Sequence, residues 1–129
     1  MSKYQYTPDK ISQLAANEIF VFGSNLQGMH GGGAARYAHQ HFGAVWGKGV
    51  GLYGQSYAIP TMHGGTNAIK PYVDEFISFA KQNQHLVFLV TPIGCGIAGF
   101  TAEQMAPLFR GAIGVDNIVL PKSFLDILK

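Results

Sequence analysis

Charge is scarce in this chain. Charged residues fill only 12% of the 129 positions, roughly half the usual share for a soluble protein. The formal net charge of +2 includes no run of Lys or Arg, which excludes nucleic-acid binding through a basic face. The single cysteine, Cys95, excludes an internal disulfide and points to a reducing, cytoplasmic setting. No apolar run approaches the length needed to cross a bilayer, since even residues 86–90 (LVFLV) make only a strand-sized block. The opening MSKYQYTPDK has no apolar stretch of signal-peptide type. No membrane association is expected.

Apolar residues and glycine are plentiful. Hydrophobic residues make up 47% of the chain, enough for one sizeable core, so a single domain over 1–129 is expected. Glycine takes 17 positions, about twice its ordinary frequency. The glycines gather in three clusters without a repeat period, which marks backbone shaped for close approach rather than a linker.

Short apolar blocks alternate with helical patterns. Residues 18–22 (EIFVF), 56–59 (SYAI), 86–90 and 117–120 (NIVL) read as buried strands, each stopped by Gly, Pro or Thr-Pro. Between them Ile69, Tyr72, Val73, Phe76, Phe79 and Ala80 follow helical spacing, with Pro71 placed in the first turn. Thr101 and Gln104 have the spacing of a capping box opening a helix that carries Met105, Leu108, Phe109 and Ile113 inward, shortened or kinked by Pro107. A further helix is expected over about 34–42. Runs of this kind suit a sheet covered on both faces, hence a three-layer α/β/α sandwich with a mixed, mostly parallel sheet. Ligands of such sheets bind at the carboxyl ends of strands, where both of the richest glycine loops fall.

The first loop, residues 23–33, runs from a buried strand into a helix and ends in Gly31, Gly32 and Gly33. Bare backbone N–H groups beside a helix start form a phosphate cradle. A side chain at Gly32 is expected to obstruct a phosphate and to conflict with its φ angle. The loop is neither a P-loop nor a GxGxxG fingerprint, and a tight turn with close helix packing stays open as the alternative. The second loop, residues 91–100, has three glycines in six residues and also leads from strand to helix. Two such loops on parallel strands suggest a diphosphate gripped from both sides.

These residues resemble the macro domain family. There a strand ends in an Asn, a GGG-containing loop opens a helix, and a later strand ends in a G-I-x-G-F-type loop. Residues 19–25, 31–34, 57–61 and 94–100 stand in those places in that order, and the resemblance spans roughly residues 9–120. The Gly94-Cys95-Gly96 form of the second loop is most similar to the branch that removes ADP-ribose from carboxylate side chains. The resemblance implies a nucleotide ligand, ADP-ribose or a close relative, free or carried by an ADP-ribosylated protein, with no required cofactor and no metal. Phe22, Gly23, Ser24 and Asn25 would meet the ligand at the end of the first strand, Asn25 near the distal ribose. The diphosphate would lie between Gly31, Gly32, Gly33 and Ala34 on one side and Gly94, Cys95, Gly96, Ile97, Ala98 and Gly99 on the other. Phe100 would pack on a ribose or the adenine, and Asp9 would take the adenine amino group.

The family's catalytic groups are missing from their places. The acid after the triple glycine falls at Ala35, the acid of the second loop at Ala98, and the lysine of the central strand in the stretch 59–62 (IPTM). Paired Glu after the glycines is absent as well, because residues 36–42 hold no acid. What remains as a catalytic candidate is His30, as base or phosphate contact, with His63 at a strand end. Cys95 lacks a base partner and reads as a small buried residue. His39 and His41 are two apart and face different ways on a helix, which argues against a metal pair; His85 marks a turn. In the third glycine cluster, residues 43–54, Trp46 and Tyr53 could close over a base or ribose, and Lys48 could neutralise a phosphate. The expectation is therefore a binding domain of weak catalytic power. The rivals are an ADP-ribosyl hydrolase working through His30 or a bound water, and a domain whose glycines serve packing alone.

Overall fold

A computed structural model describes residues 4–129, so residues 1–3 of the expected domain lie outside the described part. The frame is set by β1 (Glu18–Ser24), whose apolar side chains are buried on both faces. Ile19 and Val21 enter one core cluster, Phe20 and Phe22 another, as the two-residue period of a strand requires. β3 (Ser56–Pro60) and β4 (Val87–Val90) flank β1 in parallel, with Val21 opposite Tyr57 on one side and Val90 on the other. β5 (Ile118–Val119) continues the sheet in parallel, and β2 (Gly51–Tyr53) lies antiparallel to β3, giving the order β2-β3-β1-β4-β5. Residues 51–53 were expected to be loop. A three-residue strand that starts at positive-φ Gly51 and is followed by positive-φ Gly54 is too short to carry an alternating pattern.

The described residues thus form a mixed α/β fold with a five-stranded, mostly parallel sheet and four helices. α1 (Gly33–His41) covers the Phe20/Phe22 face through Ala38 and the adjoining Phe42. α2 (Thr66–Lys81) buries Ile69, Val73, Phe76, Ile77 and Ala80 against the opposite face. Burying each of the larger of these side chains contributes about 1.5–3 kcal/mol, so this stripe anchors the sheet. Pro71 lies in the second turn of α2, not the first as its pattern suggests. It leaves the carbonyl of Asn67 without its helical donor, at an exposed residue where water can serve it.

The capping box forms as the spacing predicts: Thr101 Oγ1 accepts from the Gln104 N–H at 3.2 Å, and the Thr101 N–H donates to Gln104 Oε1 at 2.9 Å. It opens α3 (Ala102–Met105), which tightens at Pro107 into a 3₁₀ segment, Ala106–Ala112. Three residues per turn instead of 3.6 rotates later positions off the helical stripe. Ile113, expected inside, is therefore exposed, while Met105, Leu108 and Phe109 stay buried. α4 (Lys122–Leu128), begun at Pro121, was not anticipated; Phe124 pins it to the Phe109 ring at 5.5 Å. Among the described residues no helix is long and apolar enough to cross a membrane.

Candidate ligand cleft

β1 and β4 are parallel neighbours whose following helices leave toward opposite faces. α1 packs on the Phe20/Phe22 side, and Met105 of α3 packs with Ile19 and Val21. Their loops therefore diverge and open a crevice at the carboxyl edge of the sheet. A cleft of about 260 Å³ occupies that place, lined by Gly23, Ser24 and Asn25, by Gly32 to Ala35, and by Gly94 and Gly96 to Ala98. Gly23 sits where the strand ends converge: a Cβ there would lie 3.2 Å from Thr61 Oγ1 and 3.5 Å from the Gly94 nitrogen.

The first loop is braced by its own side chains. Asn25 accepts from the Met29 N–H at 2.8 Å and donates to the Met29 carbonyl at 3.0 Å, locking the turn between them. Behind it the glycine-rich segment 43–50 presses so closely that a Cβ at Gly28 would sit 2.2 Å from the Lys48 nitrogen. Gly32 caps α1 with no side-chain hydrogen bond, and the first turn holds no acid. The N–H groups of that turn are left for a ligand or water. Gly32 is extended, with φ −155°, a torsion any residue adopts; the conflict expected there falls on Gly33 instead, at φ +57°.

The second loop folds on itself and leaves donors over. The Cys95 N–H reaches the Pro92 carbonyl, Gly99 that of Gly96, and Phe100 that of Gly94. The N–H groups of Gly96, Ile97 and Ala98 have no partner among the described residues. Gly94 takes φ +80°, and a Cβ on it would come within 2.8 Å of Met105 Sδ. Ile97 reaches across from this loop; its Cδ1 lies 3.0 Å from where a Gly32 Cβ would stand.

A second chamber of about 460 Å³ opens beside the first and shares Gly33, Ala34, Thr91 and Pro92 with it. Ile11, Phe20 and Tyr37 give it apolar and aromatic walls, and Asp9 and Lys10 stand on its rim. Asp9, expected on the adenine amino group, thus lines the chamber adjoining that of the glycine loops.

Other expected contacts lie elsewhere. Phe22 is fully buried behind the strand end, and Gly31, Cys95 and Gly99 do not line either chamber. Phe100 packs toward the large core cluster rather than over the cleft. Trp46 lies against the rings of His30 and His39 at 6.2 and 5.6 Å, and exposed Lys48 also stands outside the lining. His30 is 1% exposed and does not reach the cleft. Its Nε2 is 3.0 Å from the Val45 carbonyl and 3.1 Å from that of Lys48, so this nitrogen carries the proton and donates. Its Nδ1 has no hydrogen-bond partner among the described residues. The ring pins segment 43–50 to the first loop.

His63 Nε2 accepts the Leu26 N–H at 2.7 Å, again bracing the first loop. His39 Nδ1 meets the Ala44 carbonyl at 2.9 Å, and His41 stacks on Tyr37. No group of three or more His, Cys, Asp or Glu suited to a metal occurs among the described residues. Burial, with Glu103 adding to it, pushes the Cys95 thiol above its ordinary pKa, so it is no activated nucleophile. Met29, Thr61, Met62, Thr91 and Pro92 join the lining although their side chains carried no chemical signal; each follows a strand end.

No protein-family model matches the chain, and comparison with curated proteins and with solved structures gives no significant match. Every side chain lining the first chamber is uncharged, and the free donors beside it are main-chain amides together with the Thr61 hydroxyl.

Proposed function

We propose that this chain is a macro-like, three-layer α/β/α domain that binds ADP-ribose or a closely related nucleoside diphosphate. One observation carries the reading: two glycine loops offering unpaired N–H groups meet over one chamber, which shares a wall with an aromatic chamber edged by Asp9. Amide donors and a helix start suit a diphosphate, and Phe20 and Tyr37 suit a flat purine. Binding is proposed without strong turnover. Ala35 and Ala98, where hydrolytic members of the resembling family carry acids, both line the first chamber and supply no proton transfer.

Calorimetric titration with ADP-ribose, AMP and adenosine tests the proposal. ADP-ribose should bind at least tenfold more tightly than adenosine, whose base and ribose miss both glycine loops. Equal affinities would refute a diphosphate site between them.

A further inference from the structure

Three side chains on three different loops surround the outer part of the first chamber. Met29 follows β1, Met62 follows β3 and Ile97 follows β4; they are 57%, 46% and 73% exposed, and all three line the cleft. Large apolar groups left in water around one opening mark a contact surface. Two of them stand beside braced backbone. Both main-chain groups of Met29 are tied to the Asn25 side chain, and Met62 follows Thr61, which is 3% exposed and donates its N–H to the Ser24 carbonyl at 2.9 Å. Exposed thioethers beside such anchors form a displayed surface.

The two methionines lie away from the aromatic chamber. That chamber shares Thr91 and Pro92 of the β4 side and does not include Met29 or Met62. β3 lies across β1 from β4, so the cleft runs along the sheet edge from the aromatic chamber, past the glycine loops, to Met62. Resting on the nucleotide reading above, we infer that this far end receives a neutral, flat aromatic group joined beyond the second ribose, making a dinucleotide with two bases the favoured ligand class. Thioether sulfurs adapt to ring faces and edges. An acidic peptide bearing the nucleotide would meet no charged partner there, because the chamber's lining is uncharged.

The test compares ADP-ribose with diadenosine diphosphate, which adds a second adenine to the distal ribose, by calorimetry on the full chain. Diadenosine diphosphate should bind at least fivefold more tightly, on the scale of one or two sulfur–ring contacts. In a Met29→Ala/Met62→Ala double variant that ratio should fall to about one, whatever happens to the absolute affinities. A ratio near one in the parent protein, or an undiminished ratio in the variant, overturns the inference while leaving ADP-ribose binding intact. Failure of ADP-ribose itself to bind overturns the nucleotide reading and this inference with it.

Discussion

Gly32 and Gly33 are neighbours under different constraints. Gly33 needs its positive φ, whereas Gly32 is extended and meets only the flexible tip of Ile97, so the fold tolerates a side chain at Gly32. That side chain would stand in the chamber. Gly32→Val should leave the circular dichroism spectrum unchanged and weaken ADP-ribose binding at least tenfold; unchanged affinity would place the phosphates elsewhere. His30 calls for a different pair of variants. Its Nε2–H serves the Val45 and Lys48 carbonyls of segment 43–50; without it Val45 keeps the Lys48 N–H while the Lys48 carbonyl loses this donor, a net cost of about 0.5–1.5 kcal/mol. Glutamine reaches as far as Nε2; asparagine does not. His30→Gln should keep most of the parent stability and Trp46 emission, whereas His30→Asn should lower the melting temperature and shift that emission to the red. Equal effects from both would show that the ring's bulk, not its donor, matters.

Among the elements, the capped helix after the second loop gives a direct test. Removing the Thr101 hydroxyl costs about 1 kcal/mol as a lost N-cap, so Thr101→Ala should lower the melting temperature by about 3–6 °C. A shift under about 1 °C would show that the 3₁₀ segment holds α3 without its cap. This box was legible beforehand because capping chemistry is local: two side chains three apart in sequence suffice. β1, β4 and the stripe of α2 were legible for a related reason, each carrying enough apolar residues to show its period. β2 and α4 were not, since both are short and owe their form to partners distant in sequence, β3 in one case and Phe109 in the other. The cleft divided along the same line. Its glycines stood out, but the inward turn of Phe100 and the burial of His30 depend on how the sheet and segment 43–50 pack.

At the scale of the whole molecule, the core carries a titration of its own. Tyr57 is 3% exposed amid Phe76, Phe79 and Phe88, and burial, followed by the nearby Glu75, pushes its phenol up to about 12. An unfolded tyrosine ionises near pH 10. Because the folded value is the higher one, the neutral phenol's contribution to stability is complete below pH 10 and is lost as pH climbs toward 12. The melting temperature should fall across that window, and Tyr57→Phe, which keeps the ring, should fall less, by about 5 °C at the alkaline end. Parallel curves for the two proteins would remove Tyr57 from the account.

The donors proposed for the diphosphate belong to the main chain, which every amino acid carries alike. What the fold must preserve is a set of torsions and clearances: positive φ at Gly33 and Gly94, and room at Gly23 and Gly32. Such a cradle leaves its record in shape rather than in letters. Two chains could therefore grip the same ligand in the same way while sharing little beyond a handful of glycines.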